Sequence, residues 1–149
     1  MHNMYSSSNL NKRIFISFDY DNDKHYRYLL SALAENARFT LDFDDVTPQE
    51  IQSSDIGRIK AALTNKIKSA THTLVVIGSC SNNTHPDHNA IGEKNWQWWE
   101  IKQSIFYGKK IVAVKINYYN PTPDPLYNQN IKWVNSFKVP DLESAINSS

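Results

Sequence analysis

Only one cysteine, Cys80, occurs in 149 residues, so no disulfide can close within the chain. A reducing, cytoplasmic setting is expected from that count. Glycine is scarce as well, with four residues, and none forms a G-x-G-x-x-G run. Nucleotide binding through a Rossmann phosphate loop is therefore excluded. No apolar stretch approaches the roughly 18 residues of a membrane span. Met1 to Asn11 is polar and lacks the apolar centre of a signal peptide, so residues 1–11 are read as a flexible tail. Charge of one sign is also missing. Sixteen basic and 15 acidic residues leave a net +1, with no long block of like charges. That balance offers no broad field for nucleic acid or an anionic membrane, and neither is expected as a partner. No internal repeat is found.

What remains is a chain of ordinary single-domain length, long enough to bury a core without staples; residues 12–149 are expected to form one domain. Arg13 to Phe18 is a short apolar run and reads as a buried strand. Asp19 to Asp23 is a turn- and cap-forming cluster. Tyr26, Leu30, Leu33 and Ala37 then recur at helical spacing. Phe39 to Phe43 alternates as a second strand, and Asp44 to Glu50 reads as a loop. Ser53-Ser54-Asp55 can cap a helix with the stripe Ile56, Ile59, Leu63 and Ile67. Thr71 to Ile77 is a third strand, ended by Gly78. Ser79 to Asn95 is a long polar loop of the kind usually functional or mobile. Trp96 to Tyr107 reads as a helix closed by Gly108, and Lys110 to Ile116 as a fourth strand. Tyr118 to Asn130 carries three prolines and reads as irregular. Ile131 to Val134 fits an edge strand, and Pro140 to Ile146 a last helix. Alternating strands and helices imply a parallel sheet covered on both faces, with ligands beyond the carboxyl ends of its strands.

Three of the four tryptophans fall in Trp96-Gln97-Trp98-Trp99, directly before Glu100. At 100° per residue, Trp98, Ile101 and Ile105 share the side expected to face the sheet. Trp96, Glu100, Gln103 and Tyr107 share the other. Glu100 lies early in the helix, near the strand ends and the positive end of the helix dipole. An aromatic plate beside a carboxylate suits a ligand with a flat ring and a sugar. The plainer reading is a surface glutamate that complements the dipole.

Several segments, taken in order, resemble the TIR-like (Toll/interleukin-receptor-like) family, closest to the bacterial branch that serves as sensor subunit in Thoeris anti-phage defence. Lys12 to Tyr20 resembles the family's first strand and following loop. Ser54-Asp55-Ile56 with its helix, and Thr73 to Ser79, resemble the approach to the third strand and that strand. Trp96 to Ile101 resembles the helix bearing the family's catalytic glutamate, with a tryptophan four residues ahead. Ser104 to Val114 resembles the helix end and the fourth strand. The likeness covers about residues 12–117.

The resemblance implies an α/β, flavodoxin-like doubly wound parallel sheet. It also implies an enzyme that cleaves NAD, as substrate and not as cofactor, at the nicotinamide–ribose bond. The ADP-ribose part would become a diffusible signal for a partner effector, after a phage-derived trigger and within a homo-oligomer. One carboxylate suffices for such chemistry. Ordinary glycosidases use a pair, one of which protonates the leaving group. Nicotinamide departs neutral from a cation, so Glu100 need only hold the ribose and stabilise an oxocarbenium-like transition state.

Further candidates for substrate binding are Phe18 and Asp19 after the first strand, Asp45 (with Asp44) after the second, Ser79 after the third, and Trp96 as a stacking surface. Each has a plainer alternative: Asp19 as a helix cap, Asp44 and Asp45 as a turn, Trp96 as packing. Cys80 lacks an activating histidine in sequence and reads as a small filler. His85-Pro86-Asp87-His88 supplies only a thin set of metal donors, and no metal is expected. A phosphate-accepting receiver domain would need an aspartate where Gly78-Ser79 stand. A nucleoside deoxyribosyltransferase-like enzyme and a non-enzymatic TIR scaffold are the two rival functions. The loop 79–95 is longer than is usual in the family and is expected to act as a lid, a product-shaping element or a trigger contact.

Overall fold

The computed structural model describes residues 12–19, 22, 30–32, 35, 40–42 and 55–149. Its elements are β1 (Arg13–Ser17), β2 (Thr40–Asp42), α1 (Ile56–Ser69), β3 (His72–Ile77), α2 (His88–Ile91), α3 (Trp96–Phe106), β4 (Lys110–Lys115), β5 (Ile131–Val134) and α4 (Val139–Ser148). Residues 22, 30–32 and 35 are helical, and Leu30 is buried. The rest of the stripe expected there, Tyr26, Leu33 and Ala37, lies outside the described residues, as do Asp44, Asp45, Ser53 and Ser54.

Among the described residues the strands form one sheet in the order β2-β1-β3-β4-β5. Every pairing is parallel. This is the doubly wound, flavodoxin-like order, whose direction of winding reverses between β1 and β3. β3 sits at the centre and is buried along all six residues. Its side chains alternate between two apolar clusters, as a pleated strand requires. Leu74 and Val76 join Val112, Val114, Leu142 and Ile146. Val75 and Ile77 join Ile101, Ile111, Ala113 and Leu126. α4 thus packs into the first cluster, while α3 supplies Ile101 to the second and Trp96 and Trp99 to the first.

Helix ends follow local chemistry. The Asp55 carboxylate accepts from the amides of Gly57 at 2.8 Å and Arg58 at 3.4 Å, starting α1. Ile59, Leu63 and Ile67 form its buried stripe. Leu63 is wholly buried, so truncation to alanine should cost about 2–5 kcal/mol. Gly108 closes the α3 turn at φ 69°, a left-handed conformation that favours glycine. β5 is an edge strand, with Lys132 and Trp133 exposed.

The segment 79–95 departs from a plain loop. It contains α2, and polar side chains tie it down. Asn95 Nδ2 donates to the carbonyls of Ser81 at 2.8 Å and Asn83 at 2.9 Å. Asn95 Oδ1 accepts from Trp98 N at 2.9 Å, capping α3. Lys60 Nζ reaches the Ala90 carbonyl at 3.2 Å, and Glu93 pairs with Lys102 at 2.9 Å. These bonds secure its backbone at both ends. No helix of the described residues is long and apolar enough to cross a membrane.

Candidate active site

After Arg13, β1 is apolar until its last residue, Ser17, whose hydroxyl is wholly buried. Register pairs Phe15 with Thr73 and Ser17 with Val75. Ser17 and Thr73 therefore lie on the sheet face that α3 covers, because paired residues in a parallel sheet share a face. Two hydroxyls under a helix require polar partners, and α3 supplies them. Thr73 Oγ1 and Ser104 Oγ lie 2.7 Å apart. Ser17 Oγ donates to Glu100 Oε1 at 2.6 Å. Gln97 Nε2 donates to the carbonyls of Ser17 at 3.0 Å and Val76 at 2.8 Å.

The inward face of α3 differs from the one that hydrophobicity indicates. Trp96, Gln97, Trp99, Glu100, Ile101 and Ser104 are buried, whereas Trp98 is half-buried and Phe106 is exposed. Glu100 thus points towards the sheet, not away from it. The helix is turned by roughly one residue step, about 100°. Two things fix that rotation. The Ser17 and Thr73 hydroxyls are met by Glu100 and Ser104, and the Ser17 and Val76 carbonyls by Gln97. The Trp98 indole is drawn aside, donating to Ser81 O at 3.0 Å and Asn82 Oδ1 at 3.1 Å.

Glu100 retains 3% of its exposure. Burial pushes its carboxyl up from 4.5 to about 8, opposed by the Ser17 hydrogen bond, which favours the ionised form. At neutral pH roughly one molecule in ten would carry the ionised carboxylate. A cation seated beside it would draw the proton off. A buried acid poised near neutrality at the β1/β3 reversal is the arrangement expected of a working group.

The other candidates are distributed as follows. Phe18 is buried in the main core cluster directly after Ser17. Asp19 is partly exposed and binds Asn22, accepting from its backbone N at 3.3 Å and its Nδ2 at 2.7 Å. That is the capping role. Trp96 is buried edge-on against Trp99, ring centres 5.8 Å apart. Ser79 is exposed, with Cys80 Sγ at 3.8 Å. Its neighbour Ser81 is the buried hydroxyl, accepting from Gly78 N at 3.1 Å. Asp45 lies outside the described residues. His85 Nδ1 accepts from Asp87 N at 2.9 Å, and no metal-binding group of three His, Cys, Asp or Glu side chains forms among the described residues.

Ser17 and Gln97 were not singled out from sequence. Ser17 could have been found as the single hydroxyl closing an apolar strand. Gln97 is the one amide among three tryptophans, one helical turn before Glu100. Further along the same sheet edge, Lys115, Tyr118, Trp133 and Lys138 line a groove of about 790 Å³.

Comparison with known proteins bears on the fold and the family. No curated protein matches the sequence. Among solved structures, a 2-deoxyribosyltransferase from Bacillus psychrosaccharolyticus is similar at 15% identity and TM-score 0.59, covering 88% of this chain and 90% of that one. The Clostridium botulinum CMP N-glycosidase BcmB is similar at 16% identity and TM-score 0.52, covering 92% and 98%. A prokaryotic SEFIR domain is similar at 16% identity and TM-score 0.56, covering 91% and 98%. These likenesses show the fold. The sequence model described as "Thoeris protein ThsB, TIR-like domain" matches residues 15–121, a span that runs from β1 past β4 and includes Ser17, Gln97 and Glu100, and the chain belongs to that family.

Proposed function

We propose that the chain cleaves NAD at the nicotinamide–ribose bond and that Glu100 is the catalytic residue. The observation that carries this reading is the buried Glu100 carboxyl, bonded to Ser17 at the carboxyl end of β1. Nicotinamide in NAD is joined to ribose through a cationic nitrogen. When the C–N bond breaks, its electron pair stays on that nitrogen, and nicotinamide leaves neutral without a proton donor. The positive charge moves to the ribose, and ionised Glu100 stabilises it. A nucleophile then adds to the ribose carbon and loses its proton. Water gives ADP-ribose; an internal nitrogen gives a cyclic product.

Membership of the Thoeris family supports a signalling role, in which the ADP-ribose product reaches an effector after a phage-derived trigger. A site shared between copies of the chain belongs to the same reading. The groove at the ends of β4 and β5 offers further surface on the same edge for the rest of a dinucleotide. A second reading is nucleoside chemistry, supported by the fold shared with a 2-deoxyribosyltransferase and a CMP N-glycosidase.

The test is incubation of the purified protein with NAD, with and without extract from phage-infected cells, following nicotinamide by mass-resolved chromatography. Glu100→Gln runs alongside. Release that disappears in the variant supports the proposal. Base release from nucleosides but not from NAD favours the second reading. A folded protein that releases nothing under either condition points to a scaffold.

A further inference from the structure

Gln97 is as deeply buried as Glu100, at 4% exposure. Both protons of its Nε2 are committed, one to Ser17 O at 3.0 Å and one to Val76 O at 2.8 Å. Rotating the amide would set its oxygen against two carbonyl oxygens, so its orientation is fixed. Its own Oε1 is buried without a partner. An orphaned buried acceptor costs about 1–3 kcal/mol, which offsets much of what the two donated bonds contribute. Net stability is therefore a weak reason for this residue.

The two carbonyls it joins explain more. Ser17 ends β1, and Val76 lies in β3, on either side of the point where the winding of the sheet reverses. No strand lies between these two ends, and Gln97 clasps them. Ser17 is consequently gripped twice by α3. Gln97 holds its carbonyl, and Glu100 accepts its hydroxyl at 2.6 Å.

We infer that Gln97 is the positioning residue of this site, holding the Ser17 backbone so that the Ser17 hydroxyl meets the Glu100 carboxyl. Gln97 acts through Ser17 and has no contact with the reacting atoms. For catalysis this inference rests on the NAD-cleaving reading; the Ser17–Glu100 geometry does not.

Two variants test it. Gln97→Met keeps the volume and removes the amide. Gln97→Asn keeps the amide on a chain one carbon too short to span both carbonyls. Circular dichroism and thermal melting verify folding. Carbon-13 NMR then titrates the Glu100 carboxyl in wild type, in each Gln97 variant, in Ser17→Ala, and in the Ser17→Ala/Gln97→Met double variant. Loosening Ser17 weakens the bond that favours ionised Glu100, so the midpoint should rise in the Gln97 variants and in Ser17→Ala. The double variant should match Ser17→Ala alone, since one residue works through the other. Where wild type releases nicotinamide, kcat should fall roughly 10- to 100-fold in Gln97→Met with KM little changed.

An unmoved midpoint in a folded Gln97 variant would overturn the inference. So would a Gln97→Met effect of equal size with and without Ser17. If neither variant folds, Gln97 is a structural brace and the inference falls. A wild type that releases no nicotinamide leaves the titration to decide the matter, so failure of the NAD reading is told apart from failure of this one.

Discussion

Replacing Glu100 by glutamine should remove activity and, in alkaline solution, make the protein more stable. The carboxyl holds its proton up to about pH 8 in the folded state, against an ordinary 4.5. Between those values the unfolded chain has released a proton that the folded chain retains. Wild-type stability therefore falls as pH rises through this window, and the loss is complete above about 8. At about 1.4 kcal/mol for each pH unit, the full gap corresponds to roughly 5 kcal/mol. Glutamine has nearly the same shape and can still accept from the Ser17 hydroxyl, yet has nothing to ionise. Its stability relative to wild type should then increase by about 3 kcal/mol between roughly pH 5.5 and pH 9. For a domain of this size that is a relative gain of about 6–12 °C in melting temperature. Urea and thermal unfolding of both proteins across that range measure it. A constant difference between the two at all pH values would refute the claim that Glu100 is buried at the cost of its charge.

Three further outcomes follow from the same geometry. On the NAD-cleaving proposal, in which ionised Glu100 stabilises the ribosyl cation, kcat/KM for nicotinamide release should climb with pH and level off above about 8; a flat profile from about pH 6 to pH 9 would count against that role. His72 is buried at the start of β3 with Nε2 unpartnered; burial, then Lys12 and Lys110, depress it from 6.5 to about 4. The unfolded state binds a proton there first, so stability should drop as pH falls from 6.5 towards 4, and His72→Phe should reduce that drop by on the order of 1 kcal/mol in acid unfolding curves. Asn95→Ala removes the α3 cap and two ties to the preceding loop, and should cost about 2 kcal/mol by urea unfolding.

Apolar periodicity made most of the architecture legible. The stripe Ile59, Leu63, Ile67 carries its period because one helix face is buried, and β1, β3 and β4 read as continuous apolar runs because both faces of the sheet are covered. The turn at Gly108 was legible for a similar reason, since a left-handed residue after a helix favours glycine. Glu100 was singled out through a family likeness, not through periodicity. The short α2 was hidden, since one helical turn among polar residues leaves no apolar period to detect.

Facing is what the sequence could not settle for α3. Trp98, Ile101 and Ile105 point to one stripe, while the buried face carries Gln97, Glu100 and Ser104 with Trp96, Trp99 and Ile101. That choice was made by Ser17 and Thr73, which stand 80 and 31 residues away from their partners Gln97 and Ser104. The order and type of the elements follow from local patterns of apolar and turn-forming residues, which the chain states by itself. The burial of Glu100, its proton and its grip on Ser17 depend on hydroxyls delivered by other strands of the sheet, and only the assembled fold brings those groups within hydrogen-bond reach.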